Sequence, residues 1–282
     1  MKTRVFVLTL LAMIAFASNS LLCRAALRDT GIDAASFTFI RIFSGALALW
    51  IILKMRRSTS SPAGDWILAF ALFAYAAAFS FAYNTLSAGT GALLLFGAVQ
   101  ATMILWGFRK GERLDPVQIA GLIVAVVGLI VLVFPGLTSP PLVGSILMLS
   151  AGLAWGVYSL RGKSAGDAIA ATAGNFLRAI PFAVLVTVIS FRAMHLDSLG
   201  VIYAVISGAI TSGLGYVIWY AVLPELRASS AAAVQLSAPV LAATGGILLL
   251  GEPITLRYAI ASVAVLGGIF LVVIEKRNTI AR

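Results

Sequence analysis

Ten apolar runs, each roughly 20 residues long, account for most of this chain: about residues 5–23, 34–53, 66–86, 89–108, 117–134, 142–160, 171–191, 199–222, 229–249 and 256–274. A helix rises about 1.5 Å per residue, so each run matches the roughly 30 Å of hydrocarbon in a bilayer. Only 11% of the 282 residues are charged and 61% are hydrophobic, against about 25% and 45–50% in a soluble domain. The connections are too short for a soluble domain to fold. The expected fold is an all-α integral membrane protein with ten transmembrane helices.

The first run has a competing explanation. Lys2 and Arg4, an apolar stretch and then Ala15-Phe16-Ala17 have the form of a signal peptide with a small-residue cleavage site. A signal peptide leads into a soluble mature domain, whereas nine more runs follow here. The first run is therefore read as a span.

The chain also repeats itself. Phe39-Ile40-Arg41 recurs as Phe176-Leu177-Arg178, and Phe79 and Tyr83 recur as Tyr216 and Tyr220, all at an offset of 137. Gly111-Glu112 recurs as Gly251-Glu252 and Gly128 as Gly268, at an offset of 140. The uncharged segment 135–141 separates a first half, 1–134, from a second, 142–282. Five spans per half is an odd number, so the second copy enters the membrane from the opposite side. The expected arrangement is two inverted five-helix repeats.

Charge sets the orientation. With the N-terminus in the cytoplasm, inward-facing segments hold 14 of the 20 Lys and Arg residues, among them Lys54, Arg56, Arg57, Arg109, Lys110, Arg113, Arg161 and Lys163. Outward connections hold Arg24, Arg28, Arg192 and Arg257, and only Arg41 and Arg178 fall within spans. This asymmetry places both termini in the cytoplasm. The net charge of +10 is thus topological, and no nucleic-acid partner is expected. Small residues such as Gly152 and Gly156 suit close helix packing in lipid. Pro181 and Pro239, whose repeat partners are Ser44 and Val99, are expected to kink spans seven and nine.

Catalytic chemistry finds no support. All ten acidic residues lie in connections or at span ends, and the sole histidine, His195, lies in a short outward loop. Without a titratable group at mid-membrane, coupling through a central carboxylate is not expected. Cys23 is alone, which excludes an intrachain disulfide and a cysteine metal cluster. No phosphate-cradling loop or nucleophile–base set is present, so neither an enzyme nor a cofactor is expected.

Polar and aromatic groups at membrane depth are few and must face a cavity or find a partner. Candidate substrate-binding residues are Asn19, Tyr75, Phe79, Tyr83, Gln100, Trp155, Tyr158, Tyr216, Tyr220 and Gln235. Tyr75, Phe79 and Tyr83 recur every four residues and share one helix face. The competing roles are interfacial anchoring for Tyr83, Trp106 and Trp219, packing for Phe79, and helix-to-helix hydrogen bonding for Gln100 and Gln235. A cavity built from these groups has no fixed charge and suits a polar or zwitterionic solute with an apolar part. Arg41 and Arg178, at matched depths away from the centre, either lock the halves together or contact an anionic group at the gates.

Two five-span halves, each with a Gly-Glu turn before its last span, a Phe-x-Arg element in the second span and a glycine-rich last span (Gly121, Gly128, Gly267-Gly268), resemble the drug/metabolite transporter superfamily and its EamA-domain exporters. Within it the chain is similar to YddG-type exporters of aromatic and neutral amino acids. That resemblance implies alternating access in a bacterial inner membrane, as a monomer or dimer, with the lipid bilayer and an amino acid or similar metabolite as partners. The family's proline in span four is replaced by Val99. A nucleotide-sugar or phosphate-ester exchanger of the same superfamily is the alternative; it would need a central cation cluster. An intramembrane enzyme is disfavoured.

Overall fold

The computed structural model describes residues 3–56, 63–111, 114–136, 139–162, 167–226 and 234–279. They form α1 (Thr3–Asp29), α2 (Ala34–Met55), α3 (Trp66–Tyr83), α4 (Ala88–Arg109), α5 (Pro116–Val133), α6 (Leu142–Gly162), α7 (Ala168–Ile189), α8 (Ser198–Glu225), α9 (Ser237–Leu250) and α10 (Leu256–Thr279). No strand occurs among the described residues. Eight helices, α1 to α8, are long and apolar enough to cross a membrane; α9 and the apolar part of α10 are shorter.

The acidic residues define where helices begin. Asp33, Asp65, Asp115, Asp167 and Asp197 each accept backbone N–H groups in the first turn of α2, α3, α5, α7 and α8. A carboxylate there satisfies donors that have no intrahelical partner. Half of the chain's acids therefore serve as caps rather than as chemistry at depth.

The burial pattern is the reverse of a soluble protein's. Ile123, Val127 and Ile130 of α5, Val263 and Phe270 of α10, and Phe6 and Leu10 of α1 are exposed, while Asn19, Arg41, Gln100 and Ser207 are buried. Apolar side chains face outward because lipid surrounds them, and polar ones turn inward to find partners. This is a multi-pass membrane protein.

Helix neighbours follow the repeat. α5 packs on α10, α2 on α7 and α4 on α9; α3 and α4 lie against α6, as α8 and α9 lie against α1. The α5–α10 seam is close because glycines form it: a Cβ on Gly121 would stand 2.6 Å from the Gly268 carbonyl oxygen. Gln118 Nε2 donates to the Val272 carbonyl at 3.0 Å, and Gly128 faces Val265. As α5 advances from Gln118 to Gly128 its contacts retreat along α10, so the two helices are antiparallel.

Gly111 and Gly251 both adopt positive φ, 85° and 63°, which explains glycine at these two turns. Glu112 and Arg113, residues 137–138 of the 135–141 segment, and the start of the ninth run lie outside the described residues. Val234 and Gln235 are helical, Leu236 is a turn and α9 begins at Ser237, so the ninth run is interrupted three residues before Pro239, the side on which a proline opens a helix. Pro181 lies inside α7, which runs unbroken from Ala168 to Ile189. The sequence did not suggest the eight-residue π-helical stretch Ser207–Leu214 inside α8.

Candidate functional site

The core of the bundle holds a polar network with an aromatic chamber beside it. Asn19 of α1 is its centre. Asn19 Nδ2 donates to the Tyr75 hydroxyl at 3.1 Å, and Asn19 Oδ1 accepts from the hydroxyls of Ser207 at 2.6 Å and Thr211 at 3.2 Å. Ser207 and Thr211 are four apart and share a helix face, and the π-helical turns of α8 bring Ser212, five residues from Ser207, to the same side. Such wide turns leave the regular i→i+4 ladder and are common at functional sites.

Arg41 joins this network from α2. Its Nη2 donates to the Tyr75 hydroxyl at 2.8 Å and its Nε to the Ser212 hydroxyl at 3.3 Å. The guanidinium lies 5.0 Å from the Tyr75 ring centre and 4.9 Å from that of Phe79. Close contact of α2 and α8 makes this possible: a Cβ at Gly208 would overlap the Arg41 carbonyl oxygen and the Ser44 hydroxyl. Tyr75 and Ser212 are themselves 137 residues apart, so Arg41 bridges two matched positions of the repeat. Arg41 is thus central and only 2% exposed, which corrects both the expectation of an off-centre arginine and that of a core without fixed charge.

Arg178 does not mirror it. Arg178 is half-buried midway along α7, where its Nη1 reaches back one turn to the Gly174 carbonyl at 3.2 Å near Gly64. The two arginines occupy different environments and form no symmetric pair of locks.

Phe16, Asn19, Tyr75, Phe79, Leu95, Phe96, Trp155 and Tyr216 enclose a cavity of about 20 Å³. That is space for roughly one water molecule, so this conformation is closed around the chamber. Trp155 is the hub of its wall, with ring centres 4.8 Å from Tyr216, 5.0 Å from Tyr75 and 5.5 Å from Tyr158. Phe79 and Tyr216, repeat partners in sequence, both line the cavity.

Of the sequence-derived candidates, Asn19, Tyr75, Phe79, Trp155 and Tyr216 meet at this cavity. Tyr158 stands behind Trp155 and accepts from Asn175 at 3.5 Å. Tyr83 is fully buried rather than interfacial, packs edge-on against Phe79 and donates to the Ala88 carbonyl. Tyr220 is half-buried near Gly162. Gln100 and Gln235 are buried with Nε2 and Oε1, respectively, unbonded, and neither lines the chamber. Trp219 is buried against Phe16 rather than placed at an interface.

Three network residues were missed in the sequence: Ser207, Thr211 and Ser212. The visible signal was the Ser-Gly-Ala-Ile-Thr-Ser-Gly stretch in the middle of the eighth run, too small and polar for simple packing.

One end of the bundle is closed by an ion pair that the sequence did not suggest. Arg24 Nε meets Glu252 Oε1 at 3.0 Å. Arg24 Nη1 also donates to the Tyr83 carbonyl at 2.9 Å, and Glu252 Oε2 accepts from the Ala88 N–H at 2.8 Å. The pair ties α1 and the α3–α4 turn to the α9–α10 turn. A groove of about 190 Å³ lies beside it, lined by Thr85, Thr90, Pro140, Glu252 and Tyr258 among others. Just inside, Ala17, Ala92 and Ala242 pack together from α1, α4 and α9.

A model of the EamA-like transporter family matches the chain twice, over residues 3–134 and 142–274. An uncharacterized protein of Pseudomonas aeruginosa is 55% identical over 99% of this chain and 98% of its own. The "Uncharacterized transporter YoaV" of Bacillus subtilis is 23% identical over 83% of this chain and 85% of its own. A "Probable amino-acid metabolite efflux pump" of Salmonella typhimurium is 26% identical over 65% of this chain and 67% of its own. One solved crystal structure shares the fold with a TM-score of 0.68 at 16% identity, over 98% of this chain and all of that one.

Proposed function

This chain belongs to the EamA-like transporter family, and from that membership we propose that it exports small metabolites, most notably neutral and aromatic amino acids, by alternating access. The observation that carries the reading is the closed chamber in which Trp155, Tyr216 and Phe79 surround the Asn19–Tyr75 network. Rings offer an amino-acid side chain stacking surfaces, and the amide and phenol groups offer its backbone hydrogen bonds. The efflux-pump names of distant relatives favour the same substrate class.

In this reading the ten helices are ten spans in two inverted halves, 1–134 and 142–282. The antiparallel packing of α5 on α10 supports it. Charge asymmetry supports cytoplasmic termini in a bacterial inner membrane. The Arg24–Glu252 pair then closes the outer end, and opening requires the α9–α10 turn to part from α1 and α4. Five of the ten acids cap helices and Glu252 forms this closure, and in this reading efflux runs down the solute's own gradient.

Counterflow in proteoliposomes with a panel of amino acids, nucleosides and sugars tests the proposal. We expect exchange of neutral or aromatic amino acids that falls at least tenfold in Trp155→Ala. Exchange confined to nucleosides or sugars, or full activity in Trp155→Ala, refutes it. Uptake driven by a pH jump alone refutes the uncoupled mechanism.

A further inference from the structure

The polar end of the chamber is rich in hydrogen-bond donors, poor in free acceptors, and adjacent to a positive charge without a counter-ion. Asn19 Oδ1 already accepts two hydroxyl donors, from Ser207 and Thr211. The Tyr75 oxygen already accepts from Asn19 and from Arg41, which leaves its own proton to donate. Arg41 is buried, and its Nη1 meets no acceptor. Neither ion pair among the described residues involves it. The faces of Tyr75 and Phe79 attract the guanidinium but carry no net negative charge. Buried charges are ordinarily paired, because leaving one alone in a low-dielectric interior is strongly unfavourable. The guanidinium, held behind the Tyr75 and Phe79 wall of the chamber, therefore lacks a counter-charge.

We propose that the cargo supplies the other half: the chamber selects for a carboxylate, and accepts aromatic monocarboxylates with or without an ammonium group. The inference rests on the chamber being the transport site. The carboxylate belongs at the Asn19–Tyr75–Arg41 end, where the Tyr75 O–H and the second Asn19 N–H donate and Arg41 provides the charge. The ring belongs against Trp155, Tyr216 and Phe16. No acid lines the cavity, so an α-ammonium meets ring faces and the unpartnered Tyr216 hydroxyl but no counter-charge. It is tolerated rather than required. A decarboxylated amine brings a second positive charge toward Arg41 and is rejected.

The test compares three ligands that share a phenyl ring: 3-phenylpropionate, L-phenylalanine and phenethylamine. Each is titrated against the purified full-length protein by tryptophan fluorescence, with Trp155 in the chamber wall, and each competes against labelled phenylalanine in proteoliposome counterflow. We expect 3-phenylpropionate to bind at least as tightly as phenylalanine, and phenethylamine roughly tenfold or more weakly than either. Arg41→Lys should keep the order and Arg41→Met should erase it. If Arg41→Met fails to fold, the ligand order on the native chain together with Arg41→Lys still decides. The inference falls if phenethylamine binds as well as the carboxylates, or if folded Arg41→Met keeps the preference. Phenylalanine counterflow that phenethylamine inhibits equally removes this inference alone. Absence of any amino-acid counterflow removes the transport reading beneath it as well.

Discussion

Replacing Glu252 with Gln removes a charge from one end of the bundle while keeping the side chain's shape. In the native protein the Glu252 carboxylate receives Arg24 Nε at 3.0 Å and the Ala88 N–H at 2.8 Å, and the two charged side chains are only 14% and 7% exposed. Gln can still accept from Ala88, and Arg24 keeps its bonds to the Tyr83 and Asn84 carbonyls, so folding should survive. What is lost is one charge-assisted hydrogen bond, worth about 1.5–3 kcal/mol. Taking about 2 kcal/mol, and about 1.4 kcal/mol per tenfold, the outward-open population should rise roughly 30-fold. Ala92 is fully buried one turn below the closure and reports on it. An Ala92→Cys reporter in a Cys23→Ala background, reacted with a membrane-impermeant maleimide, should label tens of times faster with Glu252→Gln than without it. Arg24→Gln should act similarly, and the double variant should add little, because one interaction is removed either way. An unchanged labelling rate in a folded Glu252→Gln protein would refute the assignment of this pair as a closure.

Three further outcomes follow from the packing and the caps. Gly121→Ala should cost about 1–3 kcal/mol and lower the melting temperature in detergent, because the new Cβ would stand 2.6 Å from the Gly268 carbonyl oxygen; a melting temperature equal to the native one would argue against the close α5–α10 seam. Asn19→Leu strands the Ser207 hydroxyl and removes one donor from the chamber, while Thr211 keeps its bond to the Ser207 carbonyl at 2.8 Å, so we expect about 1–3 kcal/mol of lost stability and abolished counterflow; normal counterflow would exclude Asn19 from the path. Burial tends to raise the carboxyl pKa of Asp33, but hydrogen bonds from Ser36, His195 and Ala35 outweigh it and hold the value below the ordinary one. A depressed value makes the contribution fully present above the unfolded pKa of about 3.9 and lost as pH falls through the folded one. The destabilisation of Asp33→Asn, read from melting temperatures, should therefore be constant from pH 7 to 5 and shrink only below about pH 4; a marked change between pH 7 and 5 would contradict this.

Much of the architecture was legible because lipid imposes simple rules on sequence. Span length, the scarcity of charge at depth and the recurrence of Phe-x-Arg and Gly-Glu are one-dimensional signals, and helices occupy the apolar runs. The aromatic face of Tyr75, Phe79 and Tyr83 was visible for the same reason, since i, i+4 spacing survives folding. The polar partners of that face were not. Ser207 and Thr211 share a face at i, i+4 in any helix, but Ser212 joins them because α8 is locally π-helical; a regular 3.6-residue wheel would turn it away. Arg41 looked peripheral because depth along a span was judged from its own helix, whereas its long side chain crosses to Tyr75 and Ser212. Glu252 looked like a turn residue because its partner Arg24 lies 228 positions away, a separation that no local pattern encodes.

The seat of Arg41 between Tyr75 and Ser212 bears on how a duplicated chain can hold a single cargo. The family model fits the chain twice, and a residue on an axis relating two such halves would, under perfect symmetry, meet its own copy. Two guanidiniums cannot share that point: they would repel, and one arginine already fills the space over Tyr75 and Phe79. There is room for only one occupant, and Arg178, at the matching sequence position, bonds the Gly174 carbonyl midway along α7 instead. If the chamber carries the cargo we propose, one charge beside it matches one bound anion per cycle, even though the family model fits the chain twice.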